Sequence, residues 1–137
     1  MIDLISFHHF GLAVKSFENA LIFYKTLNYK CSKPIIDELQ KVELILCRSS
    51  NSPDVELIKP LNDNSPISNI LKNNNEMIYH TCYEVKTAKI NISEIFPNNR
   101  AICVSKPKPA ILFDGRLVSF YYLKGVGLIE ILQKAER

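Results

Sequence analysis

Apolar runs separated by polar residues predict the elements of the first half of the chain. Phe7 to Val14 is mostly apolar and predicts a buried strand. A helix is predicted next, with an N-cap at Ser16 and a stop at Asn28. Its apolar face repeats every three or four positions and consists of Phe17, Ala20, Leu21, Tyr24 and Leu27. The other elements predicted here are extended segments over 29–36, 42–47 and 55–58 and a short helix over 65–71.

A polar linker, Asn73 to Asn75, precedes a second series of elements in the other half of the chain. This series begins with a strand from Met77 to Val85. A short helix follows, from a cap-like Thr87 towards Phe96, with a stop at Pro97. The remaining strands are predicted over 101–105, 117–123 and 127–132, with rigid or turn-forming residues at Pro107, Pro109, Asp114 and Gly115.

Length, composition and charge narrow the class of protein. The chain has 137 residues, of which 47% are hydrophobic and 23% charged, so we expect one globular domain over 1–137. A formal charge of +3 is too small and too dispersed to predict nucleic-acid binding. No apolar run is long enough for a membrane span, and Met1-Ile2-Asp3 lacks the basic start of a signal peptide. We therefore expect a cytoplasmic protein with no nucleic-acid or membrane partner.

The cysteines do not suggest a soft-metal site. They are far apart and form no C-x-x-C pair. Buried free thiols are the preferred interpretation over disulfides or a metal cluster. The residues concerned are Cys31, Cys47, Cys82 and Cys103.

The two halves share a motif that indicates an internal duplication. His9 and His80 each begin the pattern H-x-x-x-x-V-K just before a predicted helix, and they are 71 positions apart. Glu56 and Glu130 are each flanked by aliphatic residues in a late strand, and they are 74 positions apart. Two independent pairs with nearly one offset predict two copies of a β-α-β-β-β module, over about 1–75 and 76–137, paired about a pseudo-twofold axis.

The duplication makes His9 and His80 equivalent, and likewise Glu56 and Glu130, so we expect the four side chains to converge. A carboxylate inside an apolar strand is costly to bury unless it is paired or binds a metal. Two imidazoles and two carboxylates suit one divalent ion such as Mn, Co, Ni, Fe(II) or Zn. Taken singly, each histidine could be a hydrogen-bonded core residue and each glutamate could lie on a solvated face. His8 should point to the opposite side of the strand and have a structural role.

These residues resemble the vicinal oxygen chelate superfamily, which contains glyoxalases, bleomycin resistance proteins, dioxygenases and methylmalonyl-CoA epimerases. The resemblance covers nearly the whole chain and is closest to epimerase-like and glyoxalase-like members. It implies an α+β fold of two paired β-α-β-β-β modules that form a cupped, mostly antiparallel sheet around a metal. The segments that carry it are His9-Phe-Gly-Leu-Ala-Val14, Val55-Glu56-Leu-Ile-Lys-Pro60, His80-Thr-Cys-Tyr-Glu-Val85 and Gly127-Leu-Ile-Glu130.

The resemblance also implies site residues and a reaction. His9, Glu56, His80 and Glu130 fall on the family's metal-ligand positions. Glu43 falls where some epimerases have a catalytic carboxylate, so Glu43 and Glu130 are the predicted catalytic residues, although a surface role for Glu43 is as well supported. The implied activity is a metal-dependent epimerase or isomerase that forms a metal-stabilised enolate of a small 2-oxo, 2-hydroxy or acyl-CoA substrate. A glyoxalase-type lyase and a non-catalytic, resistance-type binding protein are the alternatives, and a homodimer is expected.

Overall fold

A computed structural model describes residues 4–87 and 91–134 of the chain. Two compact units are present. The N-terminal unit is His9–Tyr79, and the C-terminal unit contains the described residues of 1–8 and 80–137. The first half of the chain forms β1 (Ile5–Val14), α1 (Glu18–Thr26), β2 (Lys30–Cys31), β3 (Ile35–Asp37), β4 (Val42–Arg48), β5 (Asp54–Pro60) and α2 (Ser68–Asn73). The second half forms β6 (Glu76–Val85), α3 (Ile92–Ile95), β7 (Ala101–Ala110), β8 (Arg116–Leu123) and β9 (Gly127–Leu132).

Strands of the N-terminal unit are ordered β2-β4-β5-β1, with β3 also paired to β4. Strands β1 and β5 are parallel, whereas β4 and β5 are antiparallel. A parallel pair needs a long crossover connection, and α1 lies in the segment that joins β1 to the next strands. Helix α1 packs on one face of these strands, where the buried cluster consists of Val14, Phe17, Tyr24, Ile45, Cys47, Val55 and Leu57.

The C-terminal unit repeats this arrangement with the strand order β6-β9-β8-β7. Strands β6 and β9 are parallel, β8 and β9 are antiparallel, and α3 lies between β6 and β7 in the chain. The buried cluster on the helix side consists of Val85, Ile95, Leu123, Ile129 and Ile131. The predicted α+β class is confirmed. The C-terminal unit has the predicted β-α-β-β-β order, whereas the N-terminal unit has one more short strand, because β2 and β3 pair separately with β4.

Helix α1 differs from its prediction at both ends. The N-cap is Phe17 rather than Ser16, and no side-chain hydrogen bond caps the helix. Asn28 ends it as predicted, in a left-handed conformation with φ 67°. Leu27, predicted on the buried face, is 52% exposed because it is the C-cap, where the helical periodicity no longer applies.

Several other predicted boundaries are shifted in the structure. Helix α2 begins at Ser68, later than the predicted Ser65. Helix α3 has Asn91 as its N-cap, and residues 88–90 of the helix predicted after Thr87 lie outside the described residues. Pro107 and Pro109 were predicted as breaks but lie inside β7. That strand pairs only with β8 among the described strands, and such an edge position tolerates residues without an N–H group.

The cysteine thiols are free and differ in their exposure. All four thiols are free, as predicted, with Cys47 and Cys82 buried and Cys31 partly exposed. Cys103 was predicted to be buried but is exposed, because it lies on strand β7. Within residues 4–87 and 91–134, no helix is long and apolar enough to cross a membrane.

Candidate functional site

His9 and Glu56 form a buried pair in the N-terminal unit. Their side chains are 0% and 6% exposed, and His9 Nε2 lies 3.7 Å from Glu56 Oε1. Strand register creates the pair, because Gly11 of β1 is opposite Glu56 of β5 and His9 is two residues earlier on the same face of β1. The neighbour of Glu56 on β4 is the buried Leu46.

His80 and Glu130 form the corresponding pair in the C-terminal unit. Their side chains are 0% and 3% exposed, and His80 Nε2 lies 3.2 Å from Glu130 Oε1. Cys82 of β6 is opposite Glu130 of β9, and His80 lies two residues before Cys82 on the same face of β6. His9 has the same position relative to the residue opposite Glu56. The ring of Phe120, the neighbour of Glu130 on β8, stands edge-on to the His80 ring, with 5.4 Å between the centroids.

Both glutamates point away from the helix side of their own unit. The residues on either side of Glu56 are Val55 and Leu57, which belong to the cluster under α1. The residues on either side of Glu130 are Ile129 and Ile131, which belong to the cluster beside α3. Since side chains alternate along a strand, each glutamate lies on the sheet face opposite its helix cluster.

Each pair has the spacing of two ligands of one metal ion. Imidazole nitrogen and carboxylate oxygen bind a divalent metal at about 2.1 Å, so two such ligands are about 3.0 Å apart at a right angle and about 3.4 Å apart at the tetrahedral angle. The 3.2 Å between His80 and Glu130 lies within this range, and the 3.7 Å between His9 and Glu56 is longer than the tetrahedral separation by about the length of a small side-chain adjustment. The donor set therefore fits a divalent cation with oxygen and nitrogen preference.

Glu43 is placed apart from the His9–Glu56 pair. It is opposite Lys59 in the β4–β5 register, and its Oε1 lies 3.0 Å from Lys59 Nζ. Glu43 is on the same face of β4 as Ile45 and Cys47, so it lies on the α1 side of the strands, whereas Glu56 lies on the other side. Lys59 Nζ is also 5.1 Å from the ring centroid of Phe17.

Some interactions near these residues were not anticipated from the sequence. Arg116 pairs with Glu84 and donates from Nε to the carbonyl of Gln133 at 2.9 Å. The edge-on contact of Phe120 with His80 depends on the β8–β9 register, which the sequence does not specify. His8, assigned a structural role, is partly buried and its ring stands edge-on to Phe113, with 5.3 Å between centroids.

Curated relatives and solved structures resemble the chain over most of its length. It is 27% identical over 131 residues to the mitochondrial methylmalonyl-CoA epimerase of Dictyostelium discoideum, covering 93% of this chain and 77% of the relative. The corresponding protein of Bos taurus is 28% identical over 130 residues, with 92% and 73% covered.

Two solved structures have the same fold. A hypothetical protein from Bacillus halodurans C-125 aligns with TM-score 0.81 and 26% identity, covering 97% of this chain and 96% of that one. Methylmalonyl-CoA epimerase from Mycobacterium tuberculosis aligns with TM-score 0.74 and 19% identity, covering 95% and 88%. The family model described as Glyoxalase/Bleomycin resistance protein/Dioxygenase superfamily matches residues 8–120. The chain belongs to this superfamily.

Proposed function

We propose that the protein is a metal-dependent epimerase or isomerase that moves a proton next to a carbonyl group. One observation carries the proposal: a buried His–Glu pair recurs at the same strand register in each unit, as His9 with Glu56 and His80 with Glu130. A purely structural role of a buried carboxylate would not require a histidine next to it, and it would not require the same histidine–glutamate pair at the same strand register in the other unit.

In this proposal His9, Glu56, His80 and Glu130 hold one divalent ion per chain, either Mn, Co, Ni, Fe(II) or Zn. When bound, the ion supplies a Lewis acid for the carbonyl oxygen of the substrate, which makes the neighbouring C–H group more acidic. Burial of these four side chains supports the assignment, because buried carboxylates and imidazoles need a charge partner or a metal.

An acyl-CoA is the substrate class to test first, because both curated relatives are methylmalonyl-CoA epimerases. Small 2-oxo and 2-hydroxy acids or ketones follow, since they present the same pair of neighbouring oxygens. The homodimer and the cytoplasmic location predicted from the sequence are retained as part of the proposal.

Proton transfer in this scheme uses carboxylates of the chain. An epimerase removes the α-proton from one face of the substrate and returns a proton to the other face, so two groups or one exchangeable group are needed. We assign Glu130 to one of these steps, in addition to metal binding, and Glu43 to the other. Glu43 is the weaker assignment, because its ion pair with Lys59 and its place on the α1 side of β4 favour a structural role.

Solvent exchange tests the proposal directly. Methylmalonyl-CoA, a 2-oxo acid and a 2-hydroxy ketone are incubated in deuterium oxide with protein that has been loaded with each metal or stripped by chelator, and deuterium at the α-carbon is followed by mass spectrometry. We expect incorporation into one of these substrates with loaded protein only. Incorporation that is equal with stripped protein would contradict a metal-dependent reaction.

The Glu43→Gln variant distinguishes a role of Glu43 in proton transfer from a structural role. If Glu43 is a base, the variant loses at least about 100-fold in exchange rate while its metal content is unchanged. Exchange at the wild-type rate removes Glu43 from the reaction and leaves Glu130. If no substrate exchanges, glutathione-dependent conversion of a 2-oxoaldehyde identifies a lyase instead, and tight binding of an apolar ligand without turnover identifies a binding protein.

A further inference from the structure

Cys31 and Cys47 occupy directly opposite positions on neighbouring antiparallel strands. Cys31 on β2 has Cys47 on β4 as its register partner, and the two thiols are hydrogen-bonded to each other. Directly opposite residues in a sheet project from the same face. Cys31 indeed packs against the buried cluster to which Cys47 belongs. The other two cysteines are opposite residues of other types, Cys82 opposite Glu130 and Cys103 opposite Tyr121.

The local ladder shows which kind of antiparallel pair this is. The N–H of Ser32 donates to the carbonyl of Leu46 at 2.9 Å, so the hydrogen bond joins the residue after Cys31 to the residue before Cys47. Cys31 and Cys47 are therefore a non-hydrogen-bonded pair, in which the Cα atoms are about 4.5 Å apart. A disulfide requires Cα atoms about 4.4 to 6.8 Å apart, so the backbone already has a spacing that a disulfide accepts.

We propose that Cys31 and Cys47 form a thiol-modification site that is oxidised to an intramolecular disulfide by small-molecule disulfides such as oxidised glutathione. The Cys31 thiolate attacks one sulfur of the reagent, which gives a mixed disulfide at Cys31 and releases one thiol. The Cys47 thiolate then attacks the Cys31 sulfur and releases the second thiol. The two protein thiols lose two electrons and two protons, and the reagent gains them as two thiols.

The order of the two steps follows from exposure. Cys31 is partly exposed, whereas Cys47 is fully buried, so the reagent reaches Cys31 first. Burial, with the hydrogen bond to Cys31 second, raises the pKa of the Cys47 thiol. Cys47 is consequently a poor target for the reagent, and it reacts only when the mixed disulfide is formed beside it.

Oxidation would affect the end of a short edge strand. Strand β2 has only two residues and pairs only with β4 among the described strands. The bond would attach β2 covalently to β4 and close the segment between Cys31 and Cys47. A loop of about this length should raise the Tm of the protein by about 5 to 10 °C.

The test uses the full chain, reduced and then incubated with oxidised glutathione below its Tm. Remaining thiols are blocked by alkylation, and the digested protein is analysed by mass spectrometry. We expect a peptide that links Cys31 to Cys47, an alkylated Cys82, and a glutathione adduct at the exposed Cys103. The Cys103→Ser variant should form the same Cys31–Cys47 link, which shows that the exposed thiol is not required.

Two single variants separate the two steps. In Cys47→Ser, Cys31 should stop at the glutathione adduct, and in Cys31→Ser, Cys47 should stay reduced. A stable adduct at Cys31 in folded wild-type protein would overturn the proposal. A Cys47 that reacts equally fast in Cys31→Ser would overturn the order of the steps and with it the proposed site. If the substitution of the buried Cys47 by serine prevents folding, the wild-type protein and the Cys31→Ser variant still test the proposal.

Discussion

The two units hold the same His–Glu pair on strands that are covered by helices of very different length. In the N-terminal unit, the nine-residue α1 packs on the strands, whereas α3 in the C-terminal unit has four residues. Nevertheless, Glu56 and Glu130 are each opposite the residue two positions after a histidine, on a parallel neighbouring strand. The comparison shows that strand register, rather than the helix, determines the geometry of each pair.

In the C-terminal unit, the position equivalent to Glu43 is occupied by the uncharged Leu117. Glu43 lies three residues before Leu46, which is opposite Glu56, and Leu117 lies three residues before Phe120, which is opposite Glu130. The N–H of Gln133 donates to the Leu117 carbonyl at 2.9 Å, so Leu117 is opposite Gln133 as Glu43 is opposite Lys59. The ion pair of Glu43 with Lys59 thus has an uncharged counterpart in the Leu117–Gln133 pair. The features shared by both units are the ligand-type residues, and the Glu43–Lys59 pair belongs to one unit only.

Equivalence of the two pairs predicts equal losses of metal. His9→Ala and His80→Ala should each lower metal affinity by at least about 100-fold, because replacement of groups that only support a ligand already costs about 10-fold to 100-fold. Metal content per chain, measured after dialysis against limiting free metal, gives the result. Glu18→Gln is the control, since Glu18 is an exposed residue of α1, and the metal content of this variant should not change. If one of the two ligand variants keeps its metal while folded, the pairs are not equivalent.

The two helix-side clusters should contribute comparably to stability despite the different helices. Leu57 is 0% and Ile131 is 4% exposed, and each is next to one of the glutamates in sequence. Leu57→Ala and Ile131→Ala should each lower the free energy of unfolding by about 2 to 5 kcal/mol, measured with urea in the presence of chelator. Ile22→Ala and Ile102→Ala, at 60% and 65% exposed positions, are the controls and should change it by less than about 0.5 kcal/mol. A small loss for Ile131→Ala alone would show that the cluster beside α3 is not a true core.

The ion pair that only one unit has should contribute little. Glu43 and Lys59 are partly exposed, so a double-mutant cycle with Glu43→Gln and Lys59→Met should give a coupling free energy of about 0.2 to 1 kcal/mol. The coupling should decrease at high salt, because screening weakens partly exposed pairs. The same cycle at the uncharged pair, with Leu117→Ala and Gln133→Ala, should give no salt-dependent coupling. A coupling near zero at low salt would mean that Glu43 is not held by Lys59.

The His–Glu pairs were predictable from the sequence because the two halves of the chain share a motif. The motif that begins at His9 recurs at His80, and alternation along a strand then predicts which residues share a face. The family resemblance assigned the same residues and the α+β fold. The ends of elements were less predictable, because they depend on tertiary context: Pro107 and Pro109 look like breaks until their strand is known to be an edge.

Helix α1 shows most clearly why a periodic pattern fails at a helix end. Spacing from Phe17 and Tyr24 extends the buried face to Leu27, but the helix has ended at Thr26. The N–H of Tyr29 donates to the Tyr24 carbonyl and that of Asn28 to the Lys25 carbonyl, both at 3.0 Å. These two bonds and the left-handed Asn28 form a Schellman motif. Tyr29 therefore packs on Tyr24, with 5.1 Å between ring centroids, in the place that the pattern assigned to Leu27.

The smallest expected effect follows from that motif. Leu27→Ala should change the free energy of unfolding by less than about 0.5 kcal/mol, because the side chain is 52% exposed and leaves no cavity. Asn28→Ala is the contrasting variant: a left-handed conformation costs an alanine about 1 to 2 kcal/mol, and Asn28→Gly should avoid that cost. Urea denaturation of the three variants measures both effects. A loss above about 2 kcal/mol for Leu27→Ala would mean that Leu27 is buried after all and that the helix continues through it, with the periodicity that the sequence predicts.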